Sequence, residues 1–293
     1  MTVVVGYLAG KGGVSALNLA VEAARTLQTS LTVTTVVPRP WLTPSPARID
    51  AEYSQWSDQL AADSQHEANR YLPSLTAGID VSFHRVAHRS VPGGLVQAVE
   101  ELNADVLVLG SAANGQLGQV VLGSTADRLL HSSPVPLAIS PRGYRSCDAG
   151  RLTRLTVGYP GTPEAVEVVK RVAALTDDLD VPLRVVSFAI RGRTMYPPEV
   201  GLHAEDSILA EWAAHARNAL SQLTIDGIVE DRVELQVVTG NGWDQALDAV
   251  EWIDGEILAL GTTARPGIKT VFLGSRGAKI VRHSPVPVLI LPS

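Results

Sequence analysis

The chain has 293 residues, enough for two domains of about 150 residues, and 45% of them are apolar, so each half can bury its own core. Thirty acidic against 24 basic side chains give a net charge of −6, which argues against nucleic acid or an anionic membrane surface as the main partner. A single cysteine, Cys147, excludes an intrachain disulfide. The N-terminus lacks a basic segment followed by an apolar one, and no apolar run approaches the roughly 18–20 residues that span a bilayer. These features predict a cytoplasmic protein.

In chain order, the first half reads as strands at "TVVVGY", "LTVTTVV", "IDVSFHRVA", "DVLVLG" and "PLAIS", with helical patterns such as "SALNLAVEAARTLQ" and "GGLVQAVEEL" between them. The strand runs are short, continuous and β-branched, as in parallel strands buried on both faces. The Pro-rich "PRPWLTPSPARID" reads as a long loop after the second strand. The polar, turn-rich "PRGYRSCDAGRLTR" holds the linker, placed at residues 143–152, which leaves domains at 1–142 and 153–293. The second half repeats the scheme with strands at "RLTVGY", "PLRVVSFAI", "VELQVVTG", "EILALG" and "PVLIL" and helices at "EAVEVVKRVAALTDD" and "GWDQALDAVEWI". The stretch "RGRTMYPPEVGLHAED" is the corresponding loop.

The two halves are copies. "DVLVLGSAANGQLGQVVLGS…SPVPLAIS" and "EILALGTTARPGIKTVFLGS…SPVPVLIL" align with Gly110 and Gly261, Gly123 and Gly274, and Pro134 and Pro285 each 151 residues apart. A period this long indicates duplicated domains and not a solenoid. Right-handed crossovers then give two tandem α/β domains, each a doubly wound, five-stranded parallel sheet with helices on both faces.

Gly10-Lys11-Gly12-Gly13-Val14-Ser15 is similar to the phosphate loop of ParA-type ATPases. The lysine-Ser/Thr pair that would open the helix is missing, and the counterpart "PGTPEAVEVVKRVA" has no lysine. The stretch therefore reads as a turn, with Ser15 as helix N-cap. His84 and His88 lie four apart on a strand without a third ligand in sequence and read as exposed polar positions. His131 and His283 suit helix C-termini. Trp41, Trp212, Trp243 and Trp252 read as packing residues, and Cys147 as a bystander without a fixed partner. No catalytic set and no metal site is expected.

The fourth strand of each half carries the main signal. Gly110-Ser-Ala-Ala113, nine residues, then Gly123-Ser124 recurs as Gly261-Thr-Thr-Ala264, nine residues, then Gly274-Ser275. A glycine ending a parallel strand lets the chain turn sharply at the carboxyl edge, where open sheets bind ligands, and the second Gly-Ser opens a helix whose amides favour an anion. This pattern, with the "SPVP" and final strand that follow, resembles the universal stress protein family. The resemblance implies a Rossmann-like domain of strand order 3-2-1-4-5, a stress-response role, and ATP or another adenine nucleotide as the ligand. The residues it implies are Gly110, Gly115, Gly118, Gly123 and Ser124 in the first half and Gly261, Arg265, Gly267, Lys269, Gly274 and Ser275 in the second. Arg265 and Lys269 favour the second half for phosphate.

The pattern departs from the family in two respects. The second motif glycine is Ala113 or Ala264, and the adenine-contacting aspartate after the first strand is Leu8 or Pro160. A non-catalytic protein with a degenerate nucleotide motif is thus expected; the alternative is an ATP-binding or ATP-hydrolysing enzyme or switch using the second half. Finally, "PLAIS" and "PVLIL" are apolar edge strands, which invite pairing. Family resemblance implies that such strands pair across a two-fold axis, and tethering predicts an intrachain pseudo-dimer, with swapped or larger homo-oligomers as the alternative.

Overall fold

The computed structural model describes residues 2–11, 13–39, 47–113, 115–190, 202–264 and 271–292. The first half runs β1 (Thr2–Gly6), α1 (Val14–Thr26), β2 (Ser30–Pro38), α2 (Ala47–Leu75), β3 (Val81–His88), α3 (Val91–Leu102), β4 (Val106–Gly110), α4 (Ser124–Leu129) and β5 (Leu137–Ser140). The second runs β6 (Arg154–Gly158), α5 (Pro163–Leu179), β7 (Leu183–Ile190), α6 (Leu202–Ile225), β8 (Glu234–Gly240), α7 (Trp243–Asp248) and β9 (Glu256–Gly261). A two-residue hairpin ladder, β10 (Thr263–Ala264) with β11 (Val271–Phe272), then leads to α8 (Gly274–His283) and β12 (Val288–Leu291).

Ten strands form one sheet in the order β3-β2-β1-β4-β5-β12-β9-β6-β7-β8. Each half therefore has the order 3-2-1-4-5 expected from the sequence. All neighbours are parallel except β5 and β12, which meet antiparallel in the middle. The β-branched runs explain the burial. Val3 and Val5 face one hydrophobic layer with Leu17 of α1, Leu72 of α2, Val169 of α5 and Leu220 of α6. Val4 faces the other, with Leu95 of α3, Leu129 of α4, Leu247 of α7 and Ile280 of α8. Both layers include residues of both halves, so each apolar layer continues across the central strand pair.

Several sequence expectations change here. The two stretches read as loops run into the long helices α2 and α6, which start at Ala47 and Leu202. Helix α1 begins at Val14 with Gly13 as its cap residue, so Ser15 is not the N-cap. The Ser15 hydroxyl instead accepts the amide of Gly143, 3.0 Å away, in the segment after β5. Trp212 is not a packing residue: it is 51% exposed on α6. Trp41 lies outside the described residues.

The linker is packed against the fold. Tyr144 and the buried Leu152 join the hydrophobic layer beside α1. Glu22 of α1, fully buried, accepts the Tyr144 hydroxyl at 2.6 Å and the Cys147 amide at 2.5 Å. Burial pushes the Glu22 carboxyl above the usual carboxylate range, although both hydrogen bonds pull the other way. Cys147 is accordingly fixed and buried, with its thiol on the Arg151 carbonyl at 3.1 Å.

Candidate functional site

In each half, the first and fourth strands lie side by side while the chain departs in opposite directions from them. This is the switch point of a doubly wound sheet, where a crevice opens at the carboxyl edge. In the first half, Gly6 of β1 and Gly110 of β4 end at this edge, and a cavity of about 390 Å³ opens above them. In the second half, Gly158 of β6 and Gly261 of β9 end there, beneath a cavity of about 410 Å³. Space is tight at Gly6, Gly158 and Gly261. A Cβ on Gly6 would meet Leu109 at 2.8 Å, and one on Gly261 would meet Val168 at 2.2 Å.

The structure gathers Gly110, Gly123 and Ser124 on the first cavity and Gly261, Gly274 and Ser275 on the second. It does not bring Gly115 and Gly118 to the cavity wall. The loop between β4 and α4 is closed on itself by Ser111, whose hydroxyl accepts the Val121 amide at 2.7 Å, and by the Ala112 amide on the Val121 carbonyl at 2.8 Å. Its tip is tied to the segment after β5. Arg142 donates to the Gly115 carbonyl at 2.5 Å, and the Gly118 amide donates back to the Arg142 carbonyl at 2.8 Å. Arg265, Gly267 and Lys269 lie outside the described residues. Neither serine hydroxyl caps its helix: Gly123 is the cap residue of α4 and Leu273 that of α8, without side-chain cap bonds.

The two cavities differ in what surrounds these glycines. The first carries Lys11, whose backbone amide closes the turn from Leu8 at 3.2 Å. That turn is pinned from α2: Ser64 accepts the Ala9 amide at 3.1 Å, and Glu67 accepts the Gly10 amide at 3.1 Å and the Tyr7 hydroxyl at 2.7 Å. Burial, reinforced by Glu67, pushes the Tyr7 phenol well above its ordinary value. The Gly10 amide of the phosphate-loop-like stretch is thus engaged by the protein's own carboxylate. The first cavity also carries Thr34 of β2, fully buried, whose hydroxyl has no hydrogen-bond partner among the described residues.

The second cavity has an aromatic wall. Phe188 of β7 and Trp243 of α7 have ring centroids 5.9 Å apart at 56°, an edge-tilted pair. Its charged lining is mixed, Glu164 from the first turn of α5 and Arg276 from α8. Sequence reasoning missed Lys11 as a wall residue, along with Thr34, Phe188 and Trp243. A comparison of the halves at equal register, Thr34 against Val186, holds the signal for Thr34.

The remaining candidates do not assemble. His84 pairs with Glu101 at 3.2 Å, and the His88 ring turns to the backbone of Ser90, so the two imidazoles share no site. His283, in the last turn of α8, contacts Asp244 of α7. No group of three metal-ligating side chains occurs among the described residues. Among the described residues no helix is long and apolar enough to cross a membrane.

The model for the universal stress protein family matches the chain twice, at residues 1–141 and 152–292. The chain belongs to this family. A universal stress protein of Mycobacterium tuberculosis strain H37Rv is 63% identical over 292 residues, covering all of both chains. The crystal structure of a universal stress protein from Archaeoglobus fulgidus superposes with a TM-score of 0.62 at 17% identity, over 99% of this chain and 98% of that one. A putative universal stress protein from Pseudomonas aeruginosa gives 0.57 at 15% identity, over 99% and 92%. These two likenesses bear on the fold. The chain is thus made of two tandem universal stress protein domains and is a stress-response protein on that membership.

Proposed function

We propose that the chain is a cytoplasmic, non-catalytic binding module that takes an adenine nucleotide, with modest affinity, at its switch-point crevices. The observation that carries this reading is the recurrence of one cavity, 390 and 410 Å³, on the same glycines of both halves. That size suits a small ligand, and the glycine-rich edge lets a phosphate approach the backbone. Modest affinity follows from Ala113 and Ala264, which stand where the family pattern has a second glycine, and from Leu8 and Pro160, which offer adenine no carboxylate. A non-catalytic role is supported by the engagement of Gly10 with Glu67 and by the lack of a lysine-Ser/Thr pair at the helix start. We also propose that the halves act as a built-in pair joined through their last strands, a reading supported by the β5–β12 ladder.

Titration calorimetry of the full chain with Mg-ATP tests the ligand reading. The expected dissociation constant is weaker than about 10 µM, or roughly 7 kcal/mol of binding. No binding up to millimolar nucleotide, or submicromolar binding with turnover near 1 per second, overturns it.

A further inference from the structure

We infer that the two crevices are not interchangeable: the first-half cavity is the site for a phosphorylated ligand, with Lys11 on its anionic group and the Thr34 hydroxyl on a buried hydrogen-bonding group. This rests on the nucleotide reading above and goes further by naming the half, the ligand's charge and two residues outside the glycine motif. Arg265 and Lys269, which favour the second half on sequence, lie outside the described residues.

The first observation is Thr34. It pairs with Gly6 across β1 and β2, has the same side-chain parity as Val36, and both stand on the cavity wall. The other threonines of β2 are satisfied. Thr32 is 2.9 Å from the Ser82 hydroxyl, and Thr35 donates to the Tyr7 carbonyl at 3.1 Å. The Thr34 hydroxyl alone on this strand is left without a partner. Burying a hydroxyl unpaired is unfavourable, and native proteins seldom leave one so. The fold does not require it either. The second half carries Val186 at the same register, against Gly158, fully buried. A buried hydroxyl that the duplicated copy replaces with a methyl group, on a residue of the cavity wall, is explained by a ligand group that completes it.

The second observation is charge. Lys11 is the charged side chain on the first cavity among the described residues, and no carboxylate lines that cavity. It projects from a turn fixed at three points by α2 and by its own backbone. The counterpart turn, Pro160-Gly161-Thr162, supplies no cation, and the second cavity has Glu164 at its helix start. A single positive charge at the mouth of a mainly apolar cavity, lined by Val36, Leu95 and Leu109, suits a small molecule with an anionic group and an apolar body. Among the described residues the second cavity sets Arg276 against Glu164 and adds an aromatic wall.

Calorimetry of the full chain with ATP and with adenosine as separate probes tests this. The wild type should bind one ATP per chain and prefer ATP over adenosine about tenfold. Lys11→Ala should remove that preference. Thr34→Val, nearly isosteric, should weaken both ligands at least fivefold while raising the melting temperature of the free protein by about 2 °C, since it removes an unpaired buried hydroxyl. A stabilised variant that binds worse cannot owe its loss to misfolding. Two equal sites per chain, or ATP binding that survives both variants, overturns this inference and leaves the nucleotide reading standing. A Thr34→Val protein that melts lower than wild type shows the hydroxyl to be paired and also overturns it. No binding of either probe to the wild type removes both readings.

Discussion

Ala138 of β5 stands directly opposite Leu289 of β12 in an antiparallel pair. The two are equivalent residues of the repeat, 151 apart in sequence. Their neighbours cross over symmetrically: Ile139 pairs with Val288, and Leu137 with Ile290. The pairing maps onto itself under the repeat, which supports the proposed pairing of the halves about a pseudo-two-fold axis through Ala138 and Leu289. Duplication of a domain with an apolar edge strand gives this result, because the tethered copy meets the open edge at high effective concentration.

Ile139 and Ile290 are buried beside that axis, in the layer that also holds Leu129 and Ile280. Ile139→Lys or Ile290→Lys should each cost about 4 kcal/mol or more, since an unpaired ammonium enters an apolar layer. Loss of the central pair also exposes two edges, so light scattering should show self-association alongside the lower melting temperature. If both variants melt like wild type and keep its mass, the β5–β12 ladder is not the joint between the halves.

The sequence made the sheet legible because parallel strands buried on both faces leave continuous β-branched runs, and because the same runs occur twice. Right-handed crossovers gave the doubly wound sheet, and the family resemblance gave its strand order. The glycines of the site were legible for the same reason: Gly110, Gly123, Gly261 and Gly274 recur at a fixed period. What escaped depends on contacts between distant residues. Glu67 reaches the Gly10 amide across 57 positions. Cys147 looked free because its partner, Glu22, lies 125 residues earlier. The starts of α2 and α6 were hidden by Pro-rich stretches that also read as loop.

Glu67 gives the next expectation. Its carboxylate accepts both the Tyr7 hydroxyl and the Gly10 amide. Glu67→Ala leaves the phenol oxygen of a 3% exposed tyrosine without its partner, at a cost of about 1–2 kcal/mol. The Gly10 amide should lose its protection in hydrogen exchange at the same time. Unchanged protection at Gly10 would show that the carboxylate does not hold the turn. Because the lysine-Ser/Thr pair of a phosphate loop is missing, no ATP turnover is expected. A rate near 1 per second that disappears in Lys11→Ala would sink this account of the loop.

At the amino end of the second-half strands, Glu256 is fully buried between two guanidinium groups. Arg184 lies 2.6 Å from one carboxylate oxygen and Arg154 2.8 Å from the other. Thr156 also donates to Glu256, and the Ile253 amide adds a bond at 2.9 Å. Arg184 stacks on the Trp252 ring at 5.3 Å. Removing one partner of a buried pair strands the other charge, so Glu256→Ala should cost about 3–5 kcal/mol in urea unfolding. Pairing it with Arg184→Met should recover part of that loss, because the stranded guanidinium is removed as well. A double variant that is worse than the sum of the two single changes would contradict the desolvation argument.

Tyr144 links the linker to α1 and contributes to the alkaline limit of stability. Its hydroxyl donates to the buried Glu22 carboxylate, and burial, followed by the Glu22 charge, pushes the phenol far above its ordinary value of about 10. Tyr7 is held up in the same direction by burial and Glu67. The sign follows from proton counting. Above pH 10 the unfolded chain gives up these protons while the folded chain keeps them, so the folded state binds more, and stability falls as pH rises. The stabilisation from each phenol is therefore complete below pH 10 and is lost progressively above it, at about 1.4 kcal/mol per pH unit for each retained proton. Tyr144→Phe removes one such proton and one hydrogen bond. It should be less stable than wild type at pH 7, and its stability should fall less steeply between pH 10 and 11. Urea unfolding of both proteins at pH 7, 10 and 11 measures this directly. Parallel pH profiles for the two proteins would mean that Tyr144 ionises as freely in the folded chain as in the unfolded one, and the buried Tyr144–Glu22 pair would then have no part in the alkaline limit.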